Sequence, residues 1–224
     1  SEASNTALEA ARGEYVALLD HDDEIAPHAL YLVAKAINEQ PGLKLLYSDE
    51  DKLDANGIRF DPYFKPDWNP ELLRSQNYLC HLAVYEASLV RAVGGFRRGL
   101  EGSQDHDLAL RCAARLSPAE IGHVPHVLYH WRAIEGSTAL SASAKEYTEA
   151  AGRRAITEHL EATGDRGARV ECVTGGYRVH YAVPAPAPRV SLVIPTRDRV
   201  DLLRTCIESI TRLTRYPDYD LVVV

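Results

Sequence analysis

Short apolar runs alternate with amphipathic stretches along most of the chain. Residues 15–19 form a continuous apolar run, and residues 43–47 form a second one that is nearly continuous. Runs of this length are typical of strands covered on both faces of a parallel sheet. Between them, residues 27–40 carry apolar side chains at helical spacing, with proline marking both ends. The alternation predicts an α/β fold with a largely parallel sheet.

The same pattern continues toward the C-terminus. It predicts further strands at 80–85 and 127–132, and helices at 5–12, 87–93, 105–115 and 144–163. Residues 54–70, rich in proline and aromatic side chains, are predicted to form a long loop. Such loops are often functional, and its aromatic residues fit an acceptor-binding surface and a packed core equally well.

A change of composition follows residue 183. Residues 184–188 read Pro-Ala-Pro-Ala-Pro, which predicts a stiff, extended linker. Beyond it, a strand at 189–195, a helix at 202–213 and a strand at 219–224 predict the beginning of a βαβ unit.

Composition and charge narrow the class of protein. The 224 residues are 46% hydrophobic with a net charge of −7, which fits a globular chain and excludes a disordered one. Lysine and arginine are scattered, so no nucleic-acid partner is expected. Four widely spaced cysteines without a CxxC pair are expected to be free, buried or half-buried thiols of a cytoplasmic protein. No apolar run reaches the roughly 18 residues of a membrane span.

Acidic residues follow the first predicted strand directly, at Asp20-His21-Asp22-Asp23. Ligands of open α/β sheets bind beyond the carboxyl ends of strands, and closely spaced carboxylates suit Mg²⁺ or Mn²⁺. A solvated acidic turn, or an N-cap of the following helix, explains the same residues without any ligand.

Two further segments carry candidate chemistry. Asp105 lies at the start of a predicted helix, where it could act as a general base or simply as a cap together with Ser103. His130 could complete a metal site and Arg132 could pair with a diphosphate, although a strand histidine is more often a plain core or edge residue. A zinc site formed with His123 and His126 is not expected, because those residues flank a proline in a predicted loop.

Seven stretches resemble family two glycosyltransferases in their order and spacing, over about residues 1–160. The branch they resemble acts in bacterial surface-polysaccharide assembly. The stretches are Glu14-Tyr15-Val16-Ala17-Leu18-Leu19-Asp20-His21-Asp22-Asp23, Tyr47-Ser48-Asp49-Glu50-Asp51, Asp61-Pro62-Tyr63-Phe64-Lys65-Pro66-Asp67-Trp68, Asn77-Tyr78, Gly94-Gly95-Phe96, Gly102-Ser103-Gln104-Asp105-His106-Asp107-Leu108 and Leu128-Tyr129-His130-Trp131-Arg132.

The resemblance implies a GT-A-like α/β fold, in which helices flank a Rossmann-like nucleotide-binding sheet. It implies that Asp20 and Asp22 bind Mn²⁺ or Mg²⁺ together with the diphosphate of a nucleotide sugar. His130 would be a further metal ligand and Arg132 would lie near the diphosphate. Asp105 would deprotonate the acceptor hydroxyl in an inverting transfer, although Gln104 stands where the family usually has glutamate.

The first strand–helix–strand element of that family has no counterpart at the start of this sequence, and residues 189–224 resemble it instead. We therefore expect a first domain at 1–183 that lacks its first βαβ and ends in a helix, a linker at 184–188, and the first βαβ of a second, tandem domain at 189–224. Such a piece of a longer protein is expected to lack part of the nucleotide site. Residues 189–224 are expected to complete the first sheet, within one chain or swapped between two chains of a dimer.

Two other functions use the same acidic residues. One is a metal-dependent phosphoesterase or nucleotidyltransferase, and the other is a glycosyltransferase-like module that only binds polysaccharide. The expected partners are a nucleotide-sugar donor and a saccharide or lipid-linked saccharide acceptor. The parent protein is expected in the cytoplasm, with peripheral association at the inner face of the membrane.

Overall fold

The computed structural model describes residues 1–133 and 144–224, which form two compact units, Ser1–Tyr181 and Ala182–Val224. Its helices are α1 (Glu2–Ala10), α2 (Ala29–Glu39), α3 (Pro70–Ser75), α4 (Ala87–Ala92), α5 (Gln104–Ala113), α6 (Ala144–Thr163) and α7 (Val200–Leu213). Its strands are β1 (Tyr15–Ala17), β2 (Glu24–Ile25), β3 (Leu45–Leu53), β4 (Arg59–Tyr63), β5 (Ala83–Glu86), β6 (Ile121–Arg132), β7 (Arg169–Val173), β8 (Gly176–His180), β9 (Val190–Ile194) and β10 (Tyr219–Val223).

The first unit is built on a six-stranded mixed sheet. Its strand order is β1-β5-β3-β6-β2, and β4 pairs with β3. The α/β class is confirmed, but the expectation of a largely parallel sheet is wrong: within the described part of this unit, only β3 and β6 pair in parallel. The short β3–β4 connection explains one antiparallel pair, because parallel neighbours need a longer crossover.

Side-chain alternation divides the core between the two faces of this sheet. In β3, Leu45 and Tyr47 belong to one buried cluster, whereas Leu46 belongs to the other. Successive residues of a strand point to opposite faces, so one strand contributes to both clusters. Helices α4, α5 and α6 cover the first face, with Leu108 and Ile156 fully buried there, and α2 covers the second.

Strand β1 differs from its prediction. The apolar run 15–19 was expected to lie buried inside a parallel sheet, but β1 spans only Tyr15–Ala17 and pairs antiparallel with β5. It is the end strand of the sheet, and Leu19 beyond it is 50% exposed. Leu30 of α2 is likewise exposed, because Ala29 and Val33 are the residues that this helix buries.

Residues 54–70 also differ from the predicted loop. Strand β4 occupies five residues of this stretch and is connected to β3 by a turn that the carboxylate of Asp54 stabilises. Its Oδ1 accepts hydrogen bonds from the backbone N–H groups of Asn56 (2.9 Å) and Ile58 (2.7 Å). Asn69 then caps α3 by accepting from the N–H of Leu72 at 2.9 Å.

The β7–β8 hairpin was not predicted. It packs against α6 and α3, where the backbone of Gly152 passes directly beneath the Tyr177 hydroxyl. The predicted helix over residues 144–163 is confirmed as α6.

The second unit has the predicted βαβ order. Strands β9 and β10 pair in parallel, with Val190 opposite Tyr219, and α7 connects them. None of the α7 side chains is buried. Across the residues that the structure describes, no helix is both long and apolar enough to span a membrane.

Candidate active site

Strand pairing brings two of the sequence motifs together. The chain leaves β1, turns through Asp20–Asp23 and enters β2, which pairs antiparallel with the end of β6. Glu24 then lies opposite His130, and Ile25 lies opposite Tyr129. The acidic turn is thereby held against the Tyr129-His130-Trp131-Arg132 motif.

Tyr129 and Arg132 hold the acidic turn in place. The Tyr129 hydroxyl donates to Asp23 Oδ2 at 2.5 Å and accepts from the backbone N–H of Asp20 at 3.2 Å. The backbone N–H of Arg132 donates to Asp23 Oδ1 at 2.8 Å, and its Nε donates to the carbonyl oxygen of Asp22 at 2.7 Å. Arg132 therefore shapes the turn that was expected to face a diphosphate.

The turn contributes to a group of three potential metal ligands among the described residues. Asp20, Asp23 and His81 each offer one ligand atom, and these atoms lie within 4.8 Å of one another. Two carboxylates suit Mg²⁺ or Mn²⁺, and the imidazole nitrogen favours Mn²⁺, because Mg²⁺ prefers oxygen ligands. The donor set therefore fits the expected cation.

The predicted ligand set was Asp20, Asp22 and His130, of which only Asp20 lies in this group. The Asp22 carboxylate is 40% exposed, with His21 Nδ1 at 3.6 Å. His130 lies buried, and its Nδ1 is 2.5 Å from Asp51 Oδ1. Nothing in the sequence distinguishes Asp23 from its acidic neighbours as a ligand.

A cavity of about 410 Å³ joins this group to the predicted base. Asp20, His81, Gln104 and Asp105 all line this cavity. The remaining wall is largely apolar and comes from α1, from β1 with the residues after it, and from Val90 and Phe96. Residues from distant parts of the sequence thus face one space of ligand size.

Asp105 is held through one of its two oxygens. Its Oδ2 accepts from Asn77 Nδ2 and from Cys80 Sγ, both at 3.0 Å. Burial, and then the neighbouring Asp105 charge, raise the pKa of the Cys80 thiol well above 9.0, so the thiol stays protonated and can donate. In the sequence, Asn77 stands out only as part of the family resemblance, and no pattern marks Cys80 as a site residue.

Burial and charge shift the pKa of two groups in the cavity. Partial burial raises the pKa of Asp20; nearby His81 opposes this shift, whereas Asp23, Asp105 and Asp22 add to it. For His81, burial lowers the pKa, but the hydrogen bond and negative charge of Glu50, with Asp105 and Asp20, outweigh burial and raise it overall. The cavity is therefore a place where positive charge is favoured.

The acidic residues of β3 form carboxylate–histidine pairs that the sequence did not reveal. The three consecutive carboxylates were expected to follow the strand, yet β3 continues through them to Leu53. Each carboxylate contacts a histidine from elsewhere in the chain, and these contacts compensate for the burial of charge. The pairs are Asp49–His123 at 2.8 Å, Glu50–His81 at 3.1 Å and Asp51–His130 at 2.5 Å.

The helix-capping explanations of two of the motifs find little support. The N-cap residue of α2 is His28, so the acidic turn does not cap that helix. Ser103 is the N-cap residue of α5, but its hydroxyl donates to the Thr148 carbonyl oxygen at 2.9 Å. Among the described residues, the group of three potential metal ligands does not include His123. All four cysteines are free, as predicted.

Comparison with known proteins agrees with this geometry. Residues 1–93 match the model of glycosyl transferase family 2. This part of the chain is therefore similar to that family. The match includes β1, the acidic turn, β3 and Cys80–His81, and this similarity supports the GT-A-like character of the α/β fold.

Two relatives extend the similarity over the whole chain. Protein y4gI of Sinorhizobium fredii is 49% identical over 227 residues, covering 100% of this chain and 25% of its own length. The O-antigen biosynthesis protein RfbC of Myxococcus xanthus is 42% identical over 222 residues, covering 99% of this chain and 17% of its own. The chain thus spans a quarter or less of the length of these relatives.

A distant structural likeness extends to the mannosyltransferase PcManGT of Pyrobaculum calidifontis in complex with GDP-Man and Mn²⁺. It has 16% identity and a TM-score of 0.42, and it covers 94% of this chain and 59% of that one.

Proposed function

We propose that the first unit carries the catalytic centre of an inverting glycosyltransferase, which transfers a sugar from a nucleotide-diphosphate sugar to a saccharide acceptor in cell-surface polysaccharide synthesis. The observation that carries the proposal is the shared cavity of Asp20, His81 and Asp105. In this cavity, groups that could bind a cation share one space with a carboxylate suited to general base catalysis. The 42% identity to an O-antigen biosynthesis protein supports the biological setting.

Asp105 is the proposed general base. Asn77 and Cys80 both donate to its Oδ2, so Oδ1 is the oxygen that would receive the proton of the acceptor hydroxyl. The activated oxygen would then attack the anomeric carbon from the face opposite the diphosphate, which inverts the configuration.

Asp20 and Asp23 are the proposed carboxylate ligands, with Asp22 and His130 as further candidates from the sequence. A divalent cation held there, Mn²⁺ or Mg²⁺, would neutralise the negative charge of the departing diphosphate. Arg132 would act by fixing the turn, because its backbone N–H and its Nε hold Asp23 and Asp22.

A panel of nucleotide sugars, assayed with the full-length protein with and without Mn²⁺, tests the proposal. We expect sugar transfer that depends on Mn²⁺ and falls at least about 100-fold in Asp105→Asn, since general base catalysis contributes 10²–10⁴. Asp165→Asn changes an aspartate outside the cavity lining and should transfer at the wild-type rate.

Other outcomes would favour the alternative functions. Phosphate release without sugar transfer would indicate a phosphoesterase or nucleotidyltransferase. Saccharide binding that is unaffected by Asp105→Asn, without turnover of any donor, would indicate a binding module.

The acceptor is proposed to be a saccharide or a lipid-linked saccharide. A lipid-linked acceptor would bring the protein to the inner face of the cytoplasmic membrane as a peripheral protein. Recovery of the full-length protein in the membrane fraction, and its release by high salt, would support this part of the proposal.

A further inference from the structure

His81 lies between the predicted cation site and a buried ion pair that the proposed mechanism does not use. Its Nε2 is 3.9 Å from Asp20 Oδ2, and its Nδ1 is 3.1 Å from Glu50 Oε2. Glu50 also accepts a hydrogen bond from the backbone N–H of His81. One carboxylate oxygen therefore fixes both the main chain and the ring of this histidine.

The contact with Glu50 determines which ring nitrogen carries hydrogen. An ionised carboxylate only accepts hydrogen bonds, so Nδ1 must be the donor. In the neutral ring, Nε2 then presents a lone pair toward Asp20 Oδ2, which is also an acceptor. Two acceptors that face each other at 3.9 Å are stabilised by a cation between them.

The ring is also held in orientation. It stacks on Tyr129 with ring centroids 4.5 Å apart and an interplanar angle of 17°. Tyr129 is the same residue whose hydroxyl donates to Asp23 Oδ2 and accepts from the N–H of Asp20. All three potential ligands are thus tied to one aromatic side chain, which keeps them in place before any ligand arrives.

Buried Lys65 holds Glu50 and the backbone of His81 in position. Its side chain is 0% exposed; its Nζ lies 3.7 Å from Glu50 Oε2 and donates to the carbonyl oxygen of His81. A buried ammonium group needs such partners, so the pair is costly to change. The backbone N–H of Lys65 donates in turn to Asp49 Oδ1 at 2.9 Å.

We propose that His81 binds the divalent cation through Nε2, and that Glu50, anchored by Lys65, is the positioning residue that sets the tautomer and orientation of His81. This inference rests on the proposed function, whose cation it assigns to a specific imidazole. It also explains two sequence stretches whose roles were open, because 47–51 supplies Glu50 and 61–68 supplies Lys65.

Mn²⁺ binding to the full chain, followed through the electron paramagnetic resonance signal of the free ion, tests the assignment without relying on turnover. We expect His81→Gln and Glu50→Gln each to weaken Mn²⁺ binding about tenfold or more, as changes of metal ligands and their carboxylate partners do. Glu171→Gln is the matched control, because Glu171 contacts His180 at 2.7 Å in a carboxylate–imidazole pair outside the cavity lining. It should bind Mn²⁺ as the wild type does.

A spectroscopic measurement separates positioning from a general structural role. In ¹⁵N spectra of the histidine rings, with His81 assigned by its loss in His81→Gln, the wild type should show hydrogen on Nδ1. Glu50→Gln should raise the population with hydrogen on Nε2. A wild-type His81 with hydrogen on Nε2 in its neutral form would overturn the inference, and this holds even if the Glu50 variant fails to fold.

The outcomes also distinguish this inference from the proposed function. Mn²⁺-dependent sugar transfer, with Mn²⁺ binding unchanged in His81→Gln, would overturn the assignment of His81 and leave the glycosyltransferase standing. A wild-type chain that binds no Mn²⁺ would overturn the assignment as well, whereas the proposed function is judged by transfer itself.

Discussion

Asp105 and Asp107 stand two residues apart on α5 in opposite environments. Asp105 faces the cavity, where the proposed chemistry takes place. Asp107 is 1% exposed, and its carboxylate accepts hydrogen bonds from Arg97 and Arg111. Burial alone would raise the pKa of Asp107, but the two guanidinium groups outweigh burial and lower it. One carboxylate is therefore available to a substrate, and the other stabilises the fold.

The lowered pKa of Asp107 predicts a pH dependence of stability. A carboxyl whose folded pKa lies below its unfolded value of 3.8 stabilises the fold above that value. The contribution is lost as pH falls through the folded pKa. Urea unfolding of the wild type should show this acid loss below about pH 4.

Asp107→Asn supplies the comparison for this pH dependence. It should lower the free energy of unfolding at pH 7 by about 3 kcal/mol, because two buried or half-buried guanidinium groups lose their partner. The difference between variant and wild type should shrink below about pH 4, where the wild-type carboxyl also loses its charge. A difference that stays constant from pH 7 to pH 3 would contradict this role.

At the residue scale, the sequence motifs predicted part of the proposed site. Asp20 and Asp105 were predicted from motifs and do share a cavity. Asp23 and His81 were not predicted, because the selection of one carboxylate in an acidic run depends on which one Tyr129 contacts, and that contact joins distant parts of the chain. No pattern in the sequence indicated that Cys80 would contact Asp105.

At the scale of elements, α1 is tied to the turn before α5. Asn5 Nδ2 donates to the Phe96 carbonyl oxygen, and Asn5 Oδ1 accepts from the Phe96 N–H, both at 2.8 Å. Gly95 adopts φ +67°, and a Cβ there would lie 2.6 Å from Asn5 Oδ1. Because Leu8 of α1 and Phe96 both line the cavity, this connection shapes the proposed donor site.

Gly95→Ala should therefore loosen α1 and lower the free energy of unfolding by about 1–3 kcal/mol, the usual cost of a left-handed non-glycine residue. Gly42→Ala is the control, because nothing lies within 4 Å of its Cβ position and its φ is not in the left-handed region. Equal melting temperatures of the two variants would show that the Asn5 connection carries no such constraint.

Periodicity predicted the long elements well and the short strands poorly. Helices α2, α5 and α6 and the strands of the second unit follow their patterns, because each has one consistent apolar face or run. Strand β4 escaped prediction because its five residues, Arg59–Tyr63, are mostly exposed and include a proline. The parallel expectation failed because apolar runs indicate burial, whereas strand direction depends on the connections.

At the scale of the whole molecule, β1 and the second unit bear on one prediction, that residues 189–224 complete the first sheet. The end strand β1 is half-exposed, and α7 buries none of its apolar side chains. That residues 189–224 complete the first sheet, within one chain or between two, stays a prediction from the sequence.

Hydrogen exchange tests this prediction. Removal of residues 182–224 should speed exchange of the amides of residues 15–17 at least about tenfold if β1 gains a neighbour from the second unit. Sedimentation of the intact chain then separates the alternatives, since a swapped arrangement requires a dimer. Unchanged exchange at β1 would contradict both.

The three carboxylate–imidazole pairs of β3 make residues 49–51 intolerant of changes in chain length. Deleting or inserting one residue there would bring the histidines opposite the wrong carboxylates and turn every side chain beyond the change to the opposite face of the sheet. Point substitutions disturb one pair at a time, whereas an insertion disturbs all three. Engineers who recombine segments of related transferases should therefore place their crossover points outside β3.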